Sequence, residues 1–176
     1  MTEPIVTIVG RPNVGKSTLF NRLIGRRQAI VDDTPGITRD RNYALSEWTG
    51  RQFLLVDTGR YLPKSRNAID QAVKEQVQIA INESDVIIFL VDVKTGITDT
   101  DEELAHLLIT TDKDVLLLVN KVDDTRDDPE IGQFYKLGLG DPFPVSAMKG
   151  RQTGDFLDIL VGKLKNHQIK LYDENP

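Results

Sequence analysis

Apolar residues along this chain alternate between short unbroken runs and stripes at helical spacing. Ile5-Val6-Thr7-Ile8-Val9, Phe53-Leu54-Leu55-Val56, Val86-Ile87-Ile88-Phe89-Leu90-Val91 and Val115-Leu116-Leu117-Leu118-Val119 are nearly continuous and rich in branched side chains. Strands buried on both faces of a parallel sheet read this way. Between them, four apolar sets recur at helical spacing: Leu19, Phe20, Leu23 and Ile24; Ile69, Ala72, Val73, Val77 and Ala80; Leu104, Leu107 and Leu108; Phe156, Leu157, Leu160 and Leu164. Thr153 or Asp155 can serve the first turn of the last helix. Tyr43 to Trp48 is a weaker run, joined through Thr49-Gly50 to Phe53, which predicts an antiparallel hairpin at a sheet edge. Phe143-Pro144-Val145 is shorter still. The pattern predicts an α/β sandwich with helices on both faces. Gly25 to Arg41 shows little periodicity, and a loop of that length inside a compact domain is usually functional. The polar, acidic end from Lys170 to Pro176 reads as a linker, so a domain is expected over 1–168 and a linker stub over 169–176.

At 176 residues the chain is one ordinary domain with room for a real core. Its formal net charge of -5 argues against electrostatic nucleic-acid binding by the chain as a whole. A local basic patch around Arg26, Arg27, Arg39 and Arg41 stays open. The absence of cysteine excludes disulfides and thiolate metal sites. No apolar stretch approaches a membrane span, and the N-terminus lacks the parts of a signal peptide, so a soluble cytoplasmic protein is expected.

The chemistry is concentrated at the ends of the predicted strands. Gly10-Arg11-Pro12-Asn13-Val14-Gly15-Lys16-Ser17 follows the first strand directly and opens the first helix, with Thr18 beside it. In that context a Gly-x4-Gly-Lys-Ser loop is a phosphate cradle. Its glycines let successive backbone N–H groups turn around an anion, and the helix N-terminus adds unpaired donors and partial positive charge. Lys16 would reach the β- and γ-phosphates, and the Ser17 hydroxyl would ligate Mg²⁺. Asp57, with Thr58 and Gly59, ends the next buried strand and is placed to hold that Mg²⁺ directly or through water. Asp33-Thr34-Pro35-Gly36 fits the same Asp-x-x-Gly pattern, but no adequate strand precedes it, so Asp57 is preferred.

Asn120-Lys121-Val122-Asp123 chooses the base. Guanine presents N1–H and its 2-amino group side by side, and a carboxylate at Asp123 accepts both. Adenine offers neither and would leave Asp123 desolvated. Charge-assisted hydrogen bonds contribute about 1.5–3 kcal/mol each, so losing two implies roughly a hundredfold discrimination or more. Asn120 can reach the other edge of the base or brace the loops, and the Lys121 stem can lie on the ring. Ser146-Ala147 follows the shortest strand, where the Ala147 N–H can meet the guanine O6. Met148 completes the predicted base site.

These motifs, in this order and spacing, resemble those of the translation-factor-related GTPases. The wording Gly-Arg-Pro-Asn-Val-Gly-Lys-Ser-Thr, with Asp33-Thr34-Pro35-Gly36-Ile37-Thr38-Arg39-Asp40-Arg41 in the first loop, resembles the Der (EngA) family of bacterial GTPases from residue 4 to about 166. Members of that family carry two tandem GTPase domains and a KH-like domain and act in large ribosomal subunit assembly. The resemblance implies the first of those GTPase domains, with a three-layer phosphate-loop fold and a mostly parallel six-stranded sheet bearing one antiparallel edge strand. It implies GTP or GDP and Mg²⁺ as ligands, and a ribosomal particle met through domains outside this chain. It also assigns Thr38 as the first-loop threonine that closes on Mg²⁺ and the γ-phosphate. Asn13 matches an asparagine that holds K⁺ near the phosphates in potassium-activated relatives; bracing its own loop is the other role open to it. Lys16, Thr38 and Asn13 are then the catalytic set, and Ser17, Thr38, Asp57 and Asn13 the metal set.

Two departures qualify the resemblance. Arg60 stands where family members have glycine, and three readings stay open: a solvated loop residue, an obstacle to closure on GTP, or a charge that reaches the phosphates. Tyr61 stands where a water-positioning glutamine would be, so slow intrinsic turnover is expected. Blander readings cover the rest. Asp92 reads as a loop entry, His106 and His167 as surface residues and Trp48 as hairpin packing. Asp124, Asp127 and Asp128 read as a solvated loop.

Overall fold

The computed structural model describes residues 3–25, 41–59 and 65–173, with side chains through residue 164. Thr38, Arg60, Tyr61, Arg26, Arg27, Arg39 and the Asp33–Gly36 stretch lie outside the described residues. Strand β1 (Ile5–Val9) leads into helix α1 (Lys16–Ile24), then β2 (Asn42–Trp48) and β3 (Arg51–Asp57) form a hairpin. Helix α2 (Arg66–Glu83), β4 (Val86–Asp92), α3 (Asp99–Ile109) and β5 (Asp114–Asn120) follow. A 3-10 segment (Thr125–Leu137), the two-residue β6 (Phe143–Pro144) and α4 (Thr153–Asp173) complete the order.

The six strands lie in the order β2-β3-β1-β4-β5-β6, with β2–β3 antiparallel and every other pairing parallel. The hairpin turns through Thr49 and Gly50, both at positive φ (51° and 81°), the two-residue geometry that matches strand twist. Alternation within the central strands sorts their side chains onto two faces. Val6, Ile8, Ile88 and Leu90 pack with Leu19, Phe20 and Leu23 of α1 and Phe156 and Leu160 of α4. Val9, Ile87, Phe89 and Val91 pack with Val73 and Val77 of α2 and Leu104 and Leu108 of α3. All seven β4 residues are buried. At about 1.5–3 kcal/mol per fully buried large apolar side chain, this central strand anchors both layers.

Differences from the sequence reading are few and local. Helix α4 continues to Asp173, into the 169–176 stretch expected as a linker stub. The stretch read as a solvated aspartate loop enters a 3-10 segment anchored by Phe134 and Leu137. Trp48 packs against the first core cluster and donates from Nε1 to Asp158 Oδ1 at 2.8 Å, as its packing role requires. No helix among the described residues is long and apolar enough to cross a membrane.

The topology fixes where a ligand fits. β1 hands its chain to α1 on one face, while its neighbours β3 and β4 hand theirs to α2 and α3 on the other. Such a divergence opens a crevice at the carboxyl ends of the strands.

Candidate nucleotide-binding site

The phosphate loop is shaped by two glycines. Gly10 has φ 157° and passes so close to β4 that an added Cβ would lie 2.6 Å from the Leu90 carbonyl oxygen. Gly15, at φ 99°, is the left-handed N-cap of α1, and a Cβ there would strike the Asn120 carboxamide. Helix α1 has no side-chain cap hydrogen bond. In contrast, Ser65 caps α2 and Thr98 closes a capping box on α3. The α1 terminus thus keeps its orphan amides for an anion, where the other two helices spend theirs on their own side chains.

Lys16 is only 8% exposed and donates from Nζ to the Gly10 and Arg11 carbonyls at 2.8 and 2.9 Å. Burial lowers its pKa to about 8, partly opposed by the Asp57 carboxylate; the Arg11 charge adds to the lowering. The ammonium thus folds back over its own loop. Arg11 is anchored away from this point, its Nε 3.4 Å from Asp101 Oδ1 and its Nη2 donating to Thr95 Oγ1. Pro12 continues the loop, and Val14 is buried in the core.

Asp57 terminates β3 in the position expected for a metal partner. It is 1% exposed, and the Ser17 hydroxyl donates to its Oδ2 at 3.1 Å. Its Oδ1 is buried without a hydrogen-bond partner. Burial raises its pKa, partly opposed by the Lys16 charge and by hydrogen bonds from Ser17 and Asn42. A hydroxyl, a carboxylate with an orphaned oxygen and a neighbouring phosphate grip form an all-oxygen donor set suited to hydrated Mg²⁺. Thr58 donates to the Ile8 carbonyl at 2.8 Å and pins the loop, while Gly59 sits against the Lys16 side chain. No cluster of three or more His, Cys, Asp or Glu residues able to hold a metal occurs among the described residues.

The base end is braced by side chains. Asn120 donates from Nδ2 to the Val14 carbonyl at 2.8 Å and accepts at Oδ1 from the Ala147 N–H at 3.0 Å. Of the two roles open to it, bracing is the one seen, and it binds the phosphate loop to the base loop. The Ala147 N–H expected at guanine O6 is turned to Asn120 here. Ser146 donates to Asp123 Oδ1 at 2.8 Å and so aims the carboxylate. Lys121, at φ 67°, donates to the Asn13 carbonyl at 2.9 Å, stretching its stem across the floor between the two loops. Asn13 itself is exposed at φ 69°. Met148 is 69% exposed, and Thr18 shares a cavity of about 380 Å³ with Ala147.

Asp92, read from sequence as a plain loop entry, holds this arrangement in place. Its Oδ2 pairs with Lys121 Nζ at 2.8 Å while Oδ1 accepts the Lys94 N–H at 2.8 Å. Asp92 and Asn120 are register partners across β4 and β5, so the strand ends bring the pair together. Nothing in the sequence marks that register. His106 is exposed, as expected.

A glycine-shaped loop at an uncapped helix N-terminus, a hydroxyl–carboxylate corner and a braced strand-end loop define the site of a phosphate-loop nucleotide-binding protein. The chain belongs to the family of 50S ribosome-binding GTPases, which it matches over residues 5–121. It is 53% identical over 166 residues to GTPase Der of Clostridium acetobutylicum, covering 94% of this chain and 38% of that protein. It is 56% identical over 173 residues to GTPase Der of Caldicellulosiruptor saccharolyticus, covering 98% and 39%. The chain thus spans about two fifths of the length of these relatives. Among solved structures it resembles Aquifex aeolicus Era bound to GDP·AlF4⁻, with a TM-score of 0.70 and 31% identity over 94% of this chain and 57% of that one. Era in complex with MgGDPNP and a segment of 16S ribosomal RNA fits equally well, at TM-score 0.70.

Proposed function

We propose that this chain is a GTP-binding and GTP-hydrolysing switch domain of the Der type, dependent on Mg²⁺ and acting in the cytoplasm on a large ribosomal subunit precursor. The observation that carries the reading is the Asn120 bridge. One carboxamide ties the loop that grips phosphate to the loop that reads the base, making two motifs a single site. Hydrolysis is preferred to gated binding alone because the family and its relatives are GTPases by name.

In this reading Lys16 leaves the Gly10 and Arg11 carbonyls and turns to the β- and γ-phosphates, joined by the α1 amides. Ser17, Asp57 and Thr38 would hold Mg²⁺, which would supply positive charge to the phosphate oxygens. Asp123 accepts N1–H and the 2-amino group of guanine, and Lys121 lies along the ring. Water attacks the γ-phosphate, and charge building towards the β-phosphate is met by Lys16 and the α1 amides. The presence or absence of the γ-phosphate then decides which surface partners meet. Asn13 is the proposed K⁺ ligand, the ion supplying charge that an arginine finger supplies elsewhere.

Single-turnover phosphate release from GTP with Mg²⁺, in K⁺ and in Na⁺, tests this. Slow release that accelerates in K⁺ is expected. Release near the roughly 10 s⁻¹ of assisted GTPases without any partner, or none above buffer, contradicts it.

A further inference from the structure

The last turn of α1 sends one side chain across to the base loop. Arg22 donates from Nε to the Ala147 carbonyl at 3.0 Å and from Nη2 to the Met148 carbonyl at 2.7 Å. The preceding carbonyl, that of Ser146, is taken by the Gly150 N–H at 2.8 Å. Three successive carbonyls of this turn are therefore committed. Gly150 makes room for the guanidinium: a Cβ there would lie 3.2 Å from Arg22 Nη1.

Within a trans peptide the C=O and N–H point in opposite directions. Holding the Ala147 carbonyl towards α1 aims the Met148 N–H the other way. Holding the Met148 carbonyl does the same for the Lys149 N–H, which donates to Ser146 Oγ at 3.1 Å, on the hydroxyl that aims Asp123. The fork geometry of arginine fixes two neighbouring carbonyls at once, which a lysine cannot do.

We propose that Arg22 is a specificity-positioning residue, orienting the Ala147–Met148 turn so that the Met148 N–H, directed away from α1, meets the oxo group at the purine 6-position. This rests on the guanine reading above. It adds that α1 serves both ends of the nucleotide, gripping phosphate at its first turn and setting the 6-oxo contact from its last.

The test compares Kd values of the 176-residue chain and its Arg22→Ala variant for GDP, 6-thio-GDP and IDP, all with Mg²⁺. Sulfur is a poorer acceptor than oxygen, so 6-thio-GDP reports the amide contact. IDP lacks the 2-amino group and reports Asp123. Wild type should prefer GDP to 6-thio-GDP about fivefold or more, and Arg22→Ala should bring that ratio close to one, whereas its preference for GDP over IDP, which Asp123 sets one step further from Arg22, should fall less. Arg22→Lys, which keeps one donor, should fall between them. Ratios cancel the general loss of positive charge and any shared loss of stability. If Arg22→Ala weakens all three ligands equally, or leaves the thio ratio unchanged, the proposal is wrong. It is equally wrong if wild type does not distinguish the oxo from the thio ligand. Should Arg22→Ala not fold, the thio ratio of Arg22→Lys decides in the same way. A wild-type chain that binds none of these ligands would instead overturn the guanine reading itself.

Discussion

The two ends of the site are prepared differently. At the phosphate end the polar groups are left partly unfinished: α1 lacks a side-chain cap, Lys16 bonds to its own loop, and one Asp57 oxygen has no partner. At the base end Asn120, Lys121, Asp123 and Ser146 are all engaged with one another or with the loops. The phosphate end spends little on itself and waits for charge to complete it. The base end is already cross-braced by hydrogen bonds, which suits the purine-reading role proposed for it. Under the proposed function, affinity and specificity then come from physically separate devices, joined through Asn120.

Removing the lysine should produce the largest effect. Lys16→Ala deletes charge-assisted contacts to two phosphates and should raise Kd for GTP about a thousandfold by calorimetry, with the fold intact by circular dichroism. The same residue predicts a pH dependence. Burial lowers Lys16 to about 8 in the free chain, whereas a bound polyphosphate favours its charged form and raises its pKa. Nucleotide binding should therefore take up a proton above pH 8. Affinity should be level below pH 8 and weaken above it, by up to about tenfold per pH unit. Lys16→Ala should flatten that part of the profile.

Next in size is Asp123→Asn, which should cost roughly a hundredfold in GDP affinity and erase the preference over ADP while leaving the phosphate grip in place. Asn120→Ala should strike both ends together. It orphans the Val14 carbonyl and the Ala147 N–H, so about 1–3 kcal/mol of stability should be lost in urea unfolding. The smallest effect is expected from Asp92→Asn, because Lys121 is partly exposed and the ion pair is screened. About 1 kcal/mol or less is expected, read as a few-fold faster GDP release.

How far the chain could be read in advance follows the same division. The phosphate grip is local, since strand, loop and helix are contiguous from Ile5 to Ile24, so its pattern carries its chemistry. The sheet was equally open, because runs such as Val86–Val91 admit little besides a doubly buried strand. The bracing was not visible. Asp92 looks like any strand-end carboxylate until the β4–β5 register sets it beside Asn120 and Lys121. The 3-10 segment was hidden by its aspartates and by Pro129, with Phe134 and Leu137 the anchors that a two- or 3.6-residue period does not isolate. Asn120 admits two roles on residue chemistry alone, and the bracing one becomes visible only through its distances to Val14 and Ala147.

The central claim is that one end of this site grips a polyphosphate while the other vets its purine. Titration of the wild-type chain with GDP and ADP in Mg²⁺ tests it most directly. GDP should bind at least about a hundredfold tighter than ADP. Equal affinities, or no association of GDP at millimolar concentration with the folded chain, would contradict it.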